Sequence, residues 1–180
     1  LHALGTEGVS LDDNILDKGH IYDADASVHQ ALMSDPQNLS DLINLLLSYG
    51  ITGVTEVTPR NAPEDFLYYQ KHSAPLRMTI MGRPSLCDAK DKSTDRVSIG
   101  HVKLHYHDHD LPSLETLTQE IQEAHAQGRG VASHCVTHAE LMLTLAAIEA
   151  AGPSEKDRIE HAAIVTQDAL DWIKQLNIGV

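Results

Sequence analysis

The sequence predicts an α/β fold, specifically a partial (β/α)8 barrel in which parallel strands alternate with helices. From Ile51 onward, short runs of β-branched residues alternate with longer stretches of helical periodicity. The strand–helix units are roughly 30 residues long, which is typical of βαβ units with right-handed crossovers. Units of this length also fit a doubly wound open sheet, so that alternative stays open.

The predicted strands are short apolar runs bounded by glycine, proline or polar residues. They comprise Ile51–Val57, Leu76–Gly82, Ile99–His107, Gly130–Cys135, Asp157–Ala162 and, at Asn177–Val180, the start of a further strand. This pattern predicts about strands two to seven of an eight-stranded barrel.

The predicted helices lie between these strands, at 63–72, 111–128, 138–151 and 166–176. Ser113 is expected to cap the second of them, Gly128 follows its end, and Thr166 is a plausible cap for the last. The segment 84–95, PSLCDAKDKSTD, is predicted to be a polar loop.

Residues 1–50 are predicted to form a separate, mostly helical segment that precedes the barrel-like region, residues 51–180. The stretches SVHQAL (27–32) and NLSDLINLLLSYG (38–50) have helical character, with Asn38 or Ser40 as a plausible cap.

The composition excludes several classes of function. Thirteen basic against 26 acidic residues give a formal charge of −13, which disfavours nucleic-acid binding. No apolar run approaches the ~20 residues that span a bilayer, and the first residues lack the pattern of a signal peptide. The two cysteines, Cys87 and Cys135, suit a reduced compartment, so we expect a cytoplasmic protein. Nucleotide binding is disfavoured because no glycine-rich phosphate turn is present.

The strand that contains Lys103 is the first candidate for a functional site, because active sites of parallel α/β folds lie at the carboxyl ends of strands. Alternation places Lys103, His105 and His107 on one face and the intervening apolar residues on the other. A buried lysine is costly unless its charge is lost or paired. Pairing with an acid, or a wet face on an edge strand, explains Lys103 equally well.

Two histidines, His134 and His161, end the next two predicted strands. Each alone can be a packing histidine bonded to backbone, and Glu160 is expected to point away from His161. His138 is expected to be exposed in the first turn of its helix. Converging imidazoles would suit Zn²⁺ or another borderline divalent ion. Lys103 would repel such a cation unless CO2 converted it to a carbamate, which supplies an anionic oxygen ligand.

Several of these stretches together resemble a known family. VASHCVTHAELMLTLAAIEAAG followed by DRIEHA, with VKLHYHDHDLPSLETL and ITGVTEVTP upstream, resembles the amidohydrolase superfamily. The most similar subgroup is amidohydrolase family 3, the YtcJ-like metal-dependent hydrolases, and the resemblance covers roughly residues 40–180.

The resemblance implies a (β/α)8 barrel with one or two divalent metals, Zn²⁺ foremost, and hydrolysis of a carbon–nitrogen bond in a small amide-like substrate by metal-activated water. It implies that His134 and His161 are metal ligands. Lys103 matches a position where many members carry a carboxylated, metal-bridging lysine. Asp108 and His109 match a segment where substrate binding is expected.

The chain also departs from the family pattern. Members have a His-x-His pair on strand one and an aspartate, the usual general base, on strand eight, and neither has a counterpart here. We therefore expect an internal fragment without a general base, whose open sheet edges favour a homo-oligomer or are covered by its own N-terminal helices. Two alternatives remain: a non-catalytic α/β module that oligomerises through those edges, and an open-sheet protein that binds a small anion.

Overall fold

A computed structural model describes residues 39–180 of the chain. The chain divides into two compact units, Leu1–Asp41 and Leu42–Val180, and the description concerns the second of them. Helix α1, the first described element, spans Ser40–Ser48, so Ser40 is its first residue rather than a residue before it. The predicted helix at 27–32 and the possible cap Asn38 lie outside the described residues, and the predicted division at residue 50 stays a prediction.

Five parallel strands form one curled half-barrel sheet in the order β1-β2-β3-β4-β5. A doubly wound sheet reverses its strand order at a switch point, whereas this order follows the sequence without reversal. The partial (β/α) barrel predicted from the sequence is therefore confirmed. The strands are β1 Gly53–Glu56, β2 Arg77–Gly82, β3 Val97–Leu104, β4 Val131–Cys135 and β5 Arg158–His161.

The helices follow the strands in the predicted alternation. They are α2 Pro63–His72, α3 Leu114–Ala126, α4 His138–Ala151 and α5 Gln167–Leu176, and 3₁₀ segments lie at Pro84–Lys92 and Asp108–Asp110. The prediction of a polar loop at 84–95 was therefore wrong for Pro84–Lys92, where Leu86 and Ala89 are buried. Both predicted caps are confirmed: Ser113 Oγ accepts a hydrogen bond from the Thr116 amide at 3.1 Å, and Thr166 Oγ1 accepts one from the Ala169 amide at 3.3 Å. The caps satisfy amides that have no partner inside the helix.

The main core lies between strands β3 to β5 and helices α3 to α5. Leu141, Leu145 and Ile148 of α4 are fully buried at helical spacing, and Val102 and Leu104 meet them from β3. Each such side chain contributes about 1.5–3 kcal/mol by leaving water. Because Val102 and Leu104 point to the helices, alternation directs Lys103 to the opposite, concave face of the sheet.

Two strands have limits that differ from those predicted. Strand β3 ends at Leu104, three residues before the predicted limit His107, because the chain then turns into the 3₁₀ segment. The strand predicted to start at Asn177–Val180 is present as an isolated parallel bridge between Arg158 and Gly179. Within residues 39–180, no helix is long and apolar enough to cross a bilayer.

Candidate functional site

A pocket of about 540 Å³ lies along the concave face of the sheet, at the carboxyl ends of β3 to β5. It contains all three residues that the sequence nominated as metal ligands: Lys103, His134 and His161. The remaining lining residues are Val57, Thr58, Pro59, His105, Arg158, Ile159, Glu160 and Val180. The three nominated side chains therefore do point into one shared space.

Lys103 is only 7% exposed, and its Nζ donates a hydrogen bond to Glu160 Oε2. The other oxygen of that carboxylate, Oε1, lies 3.6 Å from Nη2 of Arg158. Burial and then the Arg158 guanidinium lower the pKa of Lys103 to about 8, so near pH 7 the lysine is an ammonium ion bound to the carboxylate. The structure thus contains the acid partner that was one of the two explanations for a buried lysine.

Glu160 is a site residue that the sequence analysis placed wrongly, as pointing away from His161. Both residues line the same pocket. Glu160 pairs in register with His134, so the two share the concave face, as alternation requires. His161 has a φ of +74° and the following Ala162 a φ of +46°, so the strand ends in left-handed backbone. The His161 ring nevertheless lies within 4.7 Å, centroid to centroid, of the His134 ring.

A row of imidazoles extends from the pocket to the loop after β3. The His134 ring lies 4.2 Å from that of His105, which in turn lies 4.8 Å from that of His107. His109 stacks on His107 with ring centroids 5.5 Å apart. Burial, followed by His105, His161 and Lys103, lowers the pKa of His134 to about 4. His134 is therefore neutral near pH 7 and keeps a nitrogen lone pair available to a Lewis acid.

The donor set fits a divalent metal only in part. His134 and His161 are neighbouring imidazoles of the kind that zinc sites use. Lys103 does not fit as it stands, because an ammonium bound to Glu160 has no lone pair to offer. Among residues 39–180, no group of three or more histidine, cysteine, aspartate or glutamate residues is arranged to hold a metal ion.

The two residues predicted to bind substrate, Asp108 and His109, lie in the 3₁₀ segment after β3 and are exposed. Neither lines the pocket around Lys103. Asp108 Oδ1 instead accepts a hydrogen bond of 2.6 Å from Thr137 Oγ1, the cap of helix α4. Their role in binding substrate stays a prediction. His138, the first residue of α4, is exposed as expected.

Comparison with known proteins supports the fold. No protein-family model matches the sequence, and no curated protein matches it. Among solved structures, the chain is similar to an uncharacterized metal-dependent hydrolase from Pyrococcus furiosus, with a TM-score of 0.69 and 18% sequence identity. That match covers 98% of this chain and 46% of the other.

A second similar structure is an uncharacterized metal-dependent hydrolase from Pyrococcus horikoshii OT3, with a TM-score of 0.62 and 19% identity. This match covers 85% of this chain and 39% of the other. The chain therefore spans less than half the length of each structure. At this level of identity the matches establish a shared fold, that of part of a barrel.

Proposed function

We propose that this chain is part of a metal-dependent hydrolase of the amidohydrolase superfamily, of the family 3 type, which cleaves a carbon–nitrogen bond in a small amide-like substrate. The observation that carries the proposal is the convergence of Lys103, His134 and His161 in one pocket at the carboxyl ends of successive strands. Active sites of (β/α)8 barrels lie at this end. The fold shared with two proteins described as metal-dependent hydrolases supports the proposal.

The surroundings of each side chain determine its proposed role in metal binding. His134, neutral near pH 7, and the exposed His161 would hold the metal, for which Zn²⁺ suits the imidazole donors. A divalent ion so held supplies Lewis acidity, the means by which metallohydrolases activate water and polarise a carbonyl. Lys103 would join the ligands only after carboxylation, which exchanges its bond to Glu160 for an anionic oxygen.

Zinc titration of the metal-free full chain tests the proposal directly. We expect His134→Ala with His161→Ala to weaken zinc binding at least about a hundredfold, since both imidazole donors are lost. The matched control is His72→Ala with His138→Ala, two exposed histidines outside the pocket, which should bind zinc as the wild type does. A wild type that binds no zinc, or a site variant that binds it equally well, contradicts the proposal.

A non-catalytic α/β module is the second candidate, and the bond between Lys103 and Glu160 favours it because that bond holds the lysine as an ammonium ion. Incubation with ¹³C-bicarbonate and zinc separates the two candidates. The hydrolase proposal expects a carbamate carbon signal that Lys103→Met removes. A wild type without that signal and without chelator-sensitive amide hydrolysis would support the module instead.

The proposal includes the oligomeric state and the cellular location of the protein. Self-association is expected at β1, an outer strand whose second edge has no strand partner among residues 39–180, because unpaired strand edges attract further strands. The edge of β5 is bridged by Gly179. Sedimentation velocity across a concentration series would show whether the chain is a homo-oligomer. Both cysteines, Cys87 and Cys135, are free thiols, as a cytoplasmic location would require.

A further inference from the structure

A second pocket, of about 490 Å³, lies on the concave face of the sheet at the amino ends of β4 and β5. We call it the amino-end pocket. Of its lining residues, Arg158 and Val180 also line the pocket that contains His134 and His161, and the others do not. Its volume is in the range of sites for small molecules.

Positive charge exceeds negative charge in the lining of the amino-end pocket. Three cations, Arg129, Lys156 and Arg158, accompany two carboxylates, those of Glu155 and Asp157. The buried Asp157 carboxylate accepts hydrogen bonds from two backbone amides and is thus engaged in the fold, whereas Glu155 is exposed to water. In a chain whose formal net charge is −13, a pocket with surplus positive charge concentrates small anions.

Two of these cations keep donors for a ligand. Lys156 Nζ donates to the Gly128 carbonyl at 2.9 Å, and an ammonium group has further hydrogens to donate. The Arg158 side chain is 44% exposed, and in the described part of the chain its guanidinium has one ionic contact, of 3.6 Å to Glu160. Arg129, in contrast, already donates to four backbone carbonyls. A guanidinium and an ammonium group in one pocket match a phosphate dianion, which a guanidinium can bind through two parallel hydrogen bonds.

His101 adds an uncharged polar group to the same pocket. It lies two residues before Lys103 on β3, so alternation places both side chains on the concave face. Burial lowers the pKa of His101, against a backbone hydrogen bond with Lys156 that raises it. The ring is therefore neutral near pH 7, and one of its nitrogens carries a lone pair. His101 Nδ1 is buried without a hydrogen-bond partner, so a hydroxyl group that donates to it would offset the cost of its burial.

We infer that the amino-end pocket binds a phosphate monoester that also carries a hydroxyl group, such as a phosphorylated polyol. Arg158 and Lys156 bind the phosphate, and His101 accepts a hydrogen bond from the hydroxyl group. The pocket volume of about 490 Å³ leaves room for the carbon chain of such an ester beside its phosphate. The ester is bound there and not transformed, because the chemistry of a (β/α) barrel takes place at the carboxyl ends of its strands.

The test compares two esters of equal charge and similar length, glycerol 3-phosphate and propyl phosphate, titrated by calorimetry into the full chain without metal at pH 7. We expect the wild type to bind glycerol 3-phosphate at least about fivefold more tightly, because only this ester has hydroxyl groups for His101. His101→Phe should remove that preference and leave the affinity for propyl phosphate unchanged. Lys156→Gln and Arg158→Gln should each weaken both esters at least about fivefold.

The control variants lie outside the amino-end pocket. His72→Phe and Arg77→Gln change an exposed histidine and an exposed arginine, and both should bind the esters as the wild type does. His134→Ala with His161→Ala should also leave both affinities unchanged. A loss of affinity in that double variant would place the esters in the other pocket and overturn the inference.

Three further results would overturn it: no binding of either ester by the wild type, equal binding of both, or tighter binding of inorganic phosphate than of glycerol 3-phosphate. An undiminished preference in His101→Phe would do the same. Circular dichroism confirms that each variant is folded, and the exposed Lys156 decides should Arg158→Gln not fold. Because no metal is present and His134 and His161 lie outside this pocket, failure here leaves the zinc titration intact, and the reverse also holds.

Discussion

Polar side chains at the two ends of strands β4 and β5 have different kinds of partner. At the amino end, Asp157 is 1% exposed and accepts hydrogen bonds from the Val131 amide at 3.0 Å, the Ser154 amide at 2.9 Å and His125 Nε2 at 2.9 Å. Arg129, two residues before β4, donates to four backbone carbonyls. The charged groups of Asp157 and Arg129 are thus each matched by several partners.

At the carboxyl end, the polar side chains that line the site pocket contact mainly one another. The imidazoles of His105, His134 and His161 contact one another, and Glu160 serves two cations. This division is the one expected of a (β/α) barrel, in which the carboxyl end carries chemistry and the amino end carries stability. Substitutions at the amino end should therefore lower the free energy of unfolding, whereas those at the carboxyl end should change ligand binding.

The largest effect is expected for Asp157→Ala at the amino end. The substitution leaves the buried Val131 amide and the Ser154 amide without acceptors, which should lower the free energy of unfolding by about 3 kcal/mol. Urea denaturation measures this. Glu155→Ala, a change at an exposed neighbouring acid, should cost no more than ~0.5 kcal/mol. A loss under about 1 kcal/mol in Asp157→Ala would remove the contrast between the two ends.

Arg129→Met should come next, at about 2 kcal/mol. Methionine fills part of the volume of the aliphatic stem, but four carbonyl groups lose a donor, two of them, those of Arg83 and Pro84, in the chain after β2. Arg96→Met is the control, because Arg96 is an exposed arginine just before β3. If both variants unfold at the same urea concentration as the wild type, the bonds of Arg129 do not stabilise the fold.

The contrast also explains what the sequence could predict of the fold. Helix α4 was predicted with its observed limits, because a long apolar run is a local signal. The end of β3 was predicted too late, because no glycine or proline directly follows Leu104 to mark the turn. Elements defined by neighbours in sequence were thus found more accurately than their junctions.

The candidate site residues were predicted from local signals as well, and residues without a local signal were missed. Lys103, His134 and His161 each stand on or next to a strand end, which alternation and strand order reveal. Glu160 was missed as a site residue because its partner Lys103 is far away in the sequence, and Arg158 was missed because its only noted partner is Glu160. The two-residue spacing that puts Arg158 and Glu160 on one face was the available signal. The amino-end contacts of Asp157 were missed entirely.

The pH dependence of stability tests the crowding of imidazoles at the carboxyl end. The pKa of His134 is lowered from 6.5 to about 4, so the unfolded chain takes up a proton in this range before the folded chain does. His134 therefore lowers stability as pH falls from about 6.5 to 4. We expect an effect of roughly 1 kcal/mol, because water screens a partly exposed imidazole.

The measurement is a series of urea denaturation curves for the wild type and His134→Gln between pH 7 and pH 4.5. The wild type should lose about 1 kcal/mol more than the variant over that interval. Equal losses in both would mean that the imidazole titrates alike in the folded and unfolded chains, and that the ring contacts do not oppose its protonation.

Asp108→Ala should have the smallest effect on stability, at most about 0.5 kcal/mol, although it removes the bond from Thr137 Oγ1. The bond is exposed, so water replaces the lost acceptor at little cost. Thr137→Ala removes the same bond together with the cap of α4 and should cost about 1 kcal/mol. Urea denaturation compares the two. If Asp108→Ala cost as much as Thr137→Ala, this loop would be anchored as firmly as the amino end.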